Sequence, residues 1–157
     1  MRIMLDRIDH RIISALQEDG RLANVQLAER IGLSPSACLR RVQILEENGI
    51  ITGYAALIDA AAFGRTSHII VTITLHRQSE DYLSAFEDAV AECPDVMECY
   101  LMAGDADYVL RLVAKDAADY ERIHKEHLSR LPGVARIQSN FALRQVVRRN
   151  GLYIDTH

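Results

Sequence analysis

The chain has 157 residues, of which 49% are hydrophobic and 25% charged, so its composition is that of a globular protein and excludes a disordered or low-complexity chain. Its apolar runs are too short to cross a membrane, its N-terminus lacks the pattern of a secretion signal, and its three cysteines form no CxxC pair, so we expect a cytoplasmic protein with reduced thiols. The net charge of −4 argues weakly against nucleic-acid binding, but residues 1–55 carry seven basic and seven acidic side chains, and the acidic excess lies entirely in residues 56–157.

Three short helices are predicted before residue 50. The first begins after Asp6, a residue that can cap a helix, and ends at residues 19–20; the second covers residues 24–31 and ends at Gly32. The third has Ser34 as its N-cap, with proline at the first helical position, and ends at residues 48–49. The turn between the second and third helices is about three residues long and contains a glycine, which is the spacing of a helix-turn-helix.

The third helix has a face suited to DNA. At about 100° per residue, Leu39 falls with the apolar core side, whereas small and hydrogen-bonding side chains point the other way. Small residues allow close approach to the major groove, and Arg40 can bind guanine through two hydrogen bonds; Arg41, at the boundary of the face, is better placed for a phosphate. The alternative is a solvated helix surface, where arginine is common. The predicted DNA-binding residues are Ser34, Ser36, Ala37, Arg40, Arg41 and Gln43.

A strand is predicted over residues 50–58, directly after the third helix. A helix-turn-helix followed by β structure indicates the winged variant of the fold, and the residues up to Gly64 look like a hinge. We therefore predict a winged helix-turn-helix DNA-binding domain over residues 1–53, a connecting strand and hinge over 54–65, and a second domain over 66–157.

The second domain is predicted to have the element order βαββαβ. Alternating apolar residues predict strands over 69–76, 96–103, 108–114 and 134–147, and helical spacing predicts helices over 79–93 and 116–131. This order is that of the ferredoxin-like unit, a four-stranded antiparallel sheet with both helices on one face, so the whole chain falls in the α+β class. The other face of the sheet needs a cover, and a second copy of the same sheet is the simplest one, so we predict a homodimer.

Four stretches of the chain resemble the Lrp/AsnC family of bacterial transcriptional regulators, also called feast/famine regulatory proteins. They are LDRIDHRIISALQEDGR, LAERIGLSPSACLRRVQILEENGIITGY, MAGDADYVLRL and LPGV, of which the second is specific. The resemblance covers almost the whole chain. It implies sequence-specific DNA binding by the N-terminal domain, and a C-terminal domain that dimerises, assembles further (commonly into octamers) and senses an amino acid or a related metabolite.

The candidate effector site is the loop GDADY between the second and third strands. A free amino acid needs acceptors for its ammonium group, which Asp105 or Asp107 could supply, and N–H donors for its carboxylate, which the loop backbone could supply. The resemblance places the effector near this loop, at the contact between dimers; a plain β-turn and a metal site are the alternatives. Position 106 is often aromatic in the family, so Ala106 leaves the size of the pocket open. The predicted effector-binding residues are Gly104, Asp105, Ala106, Asp107, Tyr108, Gln138 and Ser139. For Gln138 and Ser139, the favoured alternative is that they face solvent at alternate positions of the last strand.

Two other functions fit the same element order. The ferredoxin-like half could be an enzyme with the helices as an accessory, or a metabolite sensor that does not bind DNA, because a fold does not define a function. Against the enzyme, the sequence shows no nucleophile–base arrangement, no phosphate-binding glycine loop and no metal-ligand spacing; His124 and His127 lack a third ligand. We therefore expect a non-enzymatic regulator that binds double-stranded DNA and an amino-acid effector, with no metal or other cofactor.

Overall fold

A computed structural model describes residues 4–156, and these form two compact units. The first unit contains the described residues up to Leu57 together with those from Val147 onward, and the second is Ile58–Val146. The predicted boundary assigned all of residues 66–157 to the second domain. The assignment differs because the last residues hydrogen-bond to the first helix. Within the described part of the chain, no helix is long and apolar enough to span a membrane.

Three helices build the first unit, as the sequence predicted: α1 (Arg7–Glu18), α2 (Asn24–Ile31) and α3 (Pro35–Glu47). Helix α1 starts with a reciprocal capping box, in which the N–H of Asp9 donates to Asp6 Oδ1 at 2.9 Å and the N–H of Asp6 donates to Asp9 Oδ2 at 3.0 Å. The apolar faces of the helices meet in a small core of Ile12, Ala15, Leu27, Ala28, Ile31, Cys38 and Leu45.

The turn between α2 and α3 determines where the third helix starts. Gly32 ends α2 with a φ of 81°, a left-handed conformation that favours glycine. Ser34 is the N-cap of α3, as predicted, and its Oγ accepts a hydrogen bond of 3.3 Å from the N–H of Ala37. The side chain of Asn24 donates to the carbonyl of Pro35 at 2.7 Å, so the first turns of α2 and α3 are tied directly to each other.

The strand predicted over residues 50–58 is not formed within the described chain. The N–H groups of Ile50 and Ile51 donate to the carbonyl of Leu45 at 2.9 and 3.1 Å, and so close the end of α3. Residues 52–59 carry no regular secondary structure. A β-strand needs a neighbouring strand to complete its hydrogen bonds, and no other described segment pairs with this one.

The second unit has the predicted order βαββαβ. Its elements are β1 (Ser67–Leu75), α4 (Glu80–Ala91), β2 (Val96–Leu101), β3 (Tyr108–Ala114), α5 (Ala117–Glu126) and β4 (Val134–Phe141), with short 3-10 helices at Ala60–Phe63 and Leu128–Arg130. The strands form one antiparallel sheet in the order β2-β3-β1-β4, which confirms the ferredoxin-like fold. The last strand is shorter than the predicted 134–147: it ends where Phe141 pairs with Ile69, because β1 begins at Ser67 and offers little further edge to pair with.

Helices α4 and α5 cover one face of this sheet. Alternate residues of β1 and β3 point towards the two helices and are buried against the apolar sides of these helices. On the opposite face, Ile70 is 37% exposed, and Arg111 pairs with Glu98 across the strands at 2.7 Å. The middle of this opposite face, around Ile70, is therefore partly exposed, and this is the face for which the sequence predicted a second copy.

Candidate DNA-binding surface and effector loop

Helix α3 presents most of the predicted DNA-binding residues to solvent. The exposed side chains are those of Ser34, Ser36, Ala37, Arg40 and Gln43. On the opposite side, Cys38 and Leu45 are buried against the other two helices. Among the residues that the structure describes, Arg40 has no carboxylate partner, in contrast to Arg41 beside it. The guanidinium of Arg40 is therefore available to an acceptor outside the protein.

Leu39 is not in the core, although the sequence predicted it there. Its side chain is 47% exposed. It follows Ser36 by three residues and precedes Gln43 by four, so it shares their face of the helix. The spacing alone therefore places Leu39 on the outer face, whereas its apolar side chain favours the core. An exposed leucine on a DNA-facing surface can contact the methyl group of thymine.

Arg41 is held by α1. Its Nη1 donates to Asp6 Oδ2 at 2.8 Å and to Asp9 Oδ1 at 2.7 Å. The capping hydrogen bond from the N–H of Asp9 and the bond from Arg41 lower the pKa of the Asp6 carboxyl below its usual value. The same carboxylates raise the pKa of Arg41. The guanidinium predicted to contact a phosphate is thus already bonded to two carboxylates of its own unit.

The candidate effector loop connects β2 to β3 and is anchored by Asp107. The side chain is only 4% exposed, and its Oδ2 accepts a hydrogen bond of 2.6 Å from the N–H of Leu75, while its Oδ1 accepts one from the Gln78 amide. The backbone of the same residue donates to Ile73 and accepts from Met102, at 2.9 and 2.8 Å. Asp107 therefore fastens the loop to the end of β1, and its oxygens face protein rather than an open site.

Tyr108 also belongs to the interior of the second unit. Its ring is 1% exposed and stacks on Phe86, with 4.3 Å between the ring centroids. Its hydroxyl donates to Glu87 at 2.7 Å, and burial together with this hydrogen bond raises the pKa of the phenol. The sequence predicted that Tyr108 binds the effector, but its side chain is packed under α4 and is not exposed to a ligand.

The remaining residues of the loop are open. Gly104 and Asp105 are exposed and Ala106 is partly buried. Gly104 has a φ of 153°, which side chains rarely adopt, and the space beside it is empty of described atoms within 4 Å. Asp105 is thus the one loop carboxylate that faces solvent.

The structure does not bring Gln138 and Ser139 to this loop within one chain. Both lie on β4, which β1 separates from β3 in the sheet. They point to opposite faces: Ser139 shares a hydrogen bond with the Tyr120 hydroxyl on the helix-covered side, and the exposed Gln138 accepts from Arg136 at 3.1 Å. Only Gln138 faces solvent, as the sequence favoured for both.

No group of three or more His, Cys, Asp or Glu side chains within residues 4–156 is arranged to hold a metal ion. His124 instead packs edge-on against the ring of Tyr120, with 6.1 Å between centroids. The loop carboxylates are likewise separated, since Asp107 is bonded to the backbone of β1 and Asp105 faces solvent.

A helix-turn-helix unit with an exposed arginine on its third helix, joined to a ferredoxin-like unit with an exposed loop, defines a DNA-binding regulator with a separate ligand-binding part. Residues 5–52 match the family model described as winged helix-turn-helix DNA-binding, and residues 68–152 match the one described as the Lrp/AsnC ligand binding domain. The chain belongs to the Lrp/AsnC family of transcriptional regulators, which confirms the predicted family.

Individual relatives support the same conclusion. The chain is 45% identical over 146 residues to the Bkd operon transcriptional regulator of Pseudomonas aeruginosa, covering 93% of this chain and 95% of that one. It is 41% identical over 152 residues to the leucine-responsive regulatory protein of Escherichia coli K12, covering 97% and 93%. A solved structure of a transcriptional regulator from Neisseria meningitidis in complex with L-methionine has a TM-score of 0.89 and 34% identity, covering 96% of this chain and 97% of that one.

Proposed function

We propose that this regulator recognises its DNA site mainly through Arg40, with Ser36, Ala37 and Gln43 close to the bases and Ser34 at the helix start. The observation that carries this proposal is the exposed guanidinium of Arg40 on the outer face of α3, which has no carboxylate partner among residues 4–156. Arginine can donate two hydrogen bonds to guanine in the major groove, and the small side chains of Ser36 and Ala37 allow the helix to approach the base edges. Two copies of α3 would occupy successive major grooves, about one helical turn apart, on a roughly palindromic site.

Arg40→Ala tests this role. We expect the variant to lose its preference for the specific site by about 1–3 kcal/mol per contacted base pair while keeping its oligomer size. Arg130→Ala is the matched control, because Arg130 is an exposed arginine of the second unit. Mobility-shift titrations with a genomically selected site and a random duplex, at several salt concentrations, provide the comparison. If Arg40→Ala discriminates between the two duplexes as the unaltered protein does, Arg40 does not read the bases.

The effector in this proposal is a free amino acid bound at the loop of residues 104–106. Asp105 would accept the ammonium group, and the backbone N–H groups of this stretch, which have no backbone acceptor among the described residues, would donate to the carboxylate. The methionine complex of the Neisseria regulator and the name of the leucine-responsive relative support the ligand class. A thermal-shift screen of free amino acids identifies the ligand, because a molecule that binds only the folded state raises the melting temperature. A ligand that stabilises the protein but not its Asp105→Ala variant supports the site; equal stabilisation of both rejects it.

The assembly is a homodimer that pairs the two sheet faces opposite the helices, with further assembly to an octamer, as the family implies. Ile70 lies on this face in the central strand β1, where an exposed isoleucine gains from burial against a second copy. Ile70→Arg should yield a monomer in sedimentation experiments. A dimer that withstands this change would place the interface elsewhere. The protein acts in the cytoplasm as a regulator, not as an enzyme.

A further inference from the structure

We infer that Arg41 is a positioning residue, which holds α3 against the N-terminus of α1 and makes no DNA phosphate contact. This inference rests on the proposed DNA recognition by α3. It replaces the phosphate role that the sequence predicted for Arg41, and it gives the two adjacent arginines of the helix different tasks: Arg40 contacts DNA, and Arg41 orients the helix that carries it.

The geometry around Arg41 uses all four carboxylate oxygens of the capping box. Asp6 accepts the N–H of Asp9 with Oδ1 and Arg41 with Oδ2. Asp9 accepts the N–H of Asp6 with Oδ2 and Arg41 with Oδ1. The hydrogen bonds that start α1 and those that attach α3 to it thus share the same two side chains, so the cap and the attachment form one unit.

Release of Arg41 towards a phosphate would be costly. It would break two charge-assisted hydrogen bonds, which are the stronger kind. It would also leave Asp9, whose side chain is only 13% exposed, as a poorly solvated carboxylate without a cation. In addition, the three side chains together carry a net charge of −1, which attracts no phosphate. Arg41 is therefore retained by its own unit when DNA approaches.

The attachment determines which residues of α3 face outwards. Asn24 holds the first turn of the helix through the carbonyl of Pro35, and Arg41 holds its middle. Two fixed points along one helix prevent it from rolling about its axis. Because Arg40 is adjacent to Arg41, its direction away from the unit depends on Arg41 remaining bound to α1.

Removing the carboxylates that bind Arg41 distinguishes a positioning role from a phosphate contact, because the two alternatives predict changes of opposite sign in DNA affinity. The variants are Asp6→Asn and Asp9→Asn in the full-length chain; Asn is itself a good N-cap, so Asp6→Asn keeps a capping side chain on α1. If Arg41 positions α3, each variant weakens binding to the specific site, although it removes a negative charge. If Arg41 contacts a phosphate, each variant strengthens binding to any DNA, because it removes the competing carboxylate.

Arg41→Gln adds a second readout, the salt dependence of binding. A phosphate contact contributes about 0.9 to the slope of log K against log salt for duplex DNA. We expect the slope to remain that of the unaltered protein and the affinity for the specific site to fall about tenfold or more, as for a misplaced base contact, with little change for random DNA. A slope reduced by about 0.9, with equal losses on both duplexes, would overturn the positioning role. Arg41→Lys should restore part of the specific affinity.

The two levels of the proposal fail in different ways. If the unaltered protein shows no preference for any site, recognition by α3 itself is wrong, and so is a positioning role in it. If Arg40→Ala loses specificity but the Asp6 and Asp9 variants bind more tightly than the unaltered protein, only the role of Arg41 is wrong. Should Arg41→Gln unfold, as circular dichroism would show, the sign of the change in Asp6→Asn still decides.

Discussion

Asp107 Oδ2 lies 2.6 Å from the backbone nitrogen of Leu75, which donates a hydrogen bond to it at the end of β1. Asp107 is one of two carboxylates buried among the described residues; the other, Asp95, pairs with Arg65 at 2.9 Å. No cationic side chain of the described residues pairs with Asp107, and its oxygens instead accept hydrogen bonds from N–H donors of the second unit. This separates the two carboxylates of the candidate effector loop: Asp107 anchors the loop, and Asp105 remains exposed.

Replacement of Asp107 by alanine is expected to destabilise the second unit by about 1–3 kcal/mol, because it leaves the N–H of Leu75 buried without an acceptor. Asp105→Ala is the matched control, since the side chain is exposed and its removal should change stability by less than about 0.5 kcal/mol. Urea unfolding followed by circular dichroism measures both. Equal stability of the two variants would mean that Asp107 does not anchor the loop.

The sequence predicted those features that depend on short-range patterns. The cap at Ser34, the break at Gly32 and the buried side of α3 around Leu45 follow from helix periodicity and from capping chemistry, which act within a few residues. The single four-stranded antiparallel sheet followed from the order of elements, because few sheet topologies suit it.

Features that depend on distant partners were not predictable in the same way. The bond from Arg41 to Asp9 joins residues of two helices, and that from Leu75 to Asp107 joins two strand ends, so no local pattern distinguishes these side chains from ligand-binding ones. The sequence pointed to the loop of residues 104–108 as a candidate site, but it could not tell which of its carboxylates was already hydrogen-bonded within the fold. The predicted strand over residues 50–58 was wrong for the same reason, since strand formation requires a partner segment.

Leu39→Ala is expected to weaken binding to a site with thymine opposite α3 by about 1 kcal/mol, because a contact with the thymine methyl group is lost. The side chain is 47% exposed, so the stability of the fold should change little. The sharp comparison replaces each thymine of the selected site by uracil, which removes only the methyl group. At the contacted position, the uracil duplex should bind the unaltered protein less tightly and should bind the Leu39→Ala variant as tightly as the thymine duplex does. If the losses of binding free energy caused by Leu39→Ala and by the uracil substitution are additive at every position, Leu39 contacts no thymine methyl group.

The C-terminal tail is expected to stabilise the helix-turn-helix unit. The side-chain amide of Gln17 donates to the carbonyl of Leu152 at 3.1 Å and accepts from its N–H at 2.7 Å, the pattern of a paired strand residue. His10 lies seven residues before Gln17, on the same side of α1. It shares a further hydrogen bond of 3.1 Å with the carbonyl of Asp155. The tail thus contacts the first helix at two points spaced along one face.

Gln17→Ala should lower the stability of the first unit by about 1 kcal/mol, the net value of such hydrogen bonds, and a chain ending at residue 150 should lower it at least as much. Hydrogen exchange followed by mass spectrometry should show faster exchange in α1 and unchanged exchange in β1. Gln43→Ala is the control, because Gln43 is an exposed glutamine on α3. Truncation without any effect on α1 would show that the tail contributes nothing to this unit.

The capping box should make the stability of the first unit sensitive to acid. The hydrogen bond from the N–H of Asp9 and the ion pair with Arg41 lower the pKa of Asp6 below its ordinary value of 3.8. A carboxyl with a lowered pKa in the folded state stabilises that state fully above the unfolded pKa, and this contribution disappears as the pH falls through the folded pKa. Asp6→Asn should therefore have a lower urea midpoint than the unaltered protein at pH 5, and the two midpoints should converge as the pH is lowered below 3.8.

Asp119, in the second unit, also has a lowered pKa, owing first to the N–H of Lys115 and then to Arg122, so hydrogen exchange in α1 is needed to assign the effect to the first unit. A difference between the variants that stays constant from pH 5 down to about pH 2 would show that the charge of Asp6 plays no part, and that only the shape of the cap matters.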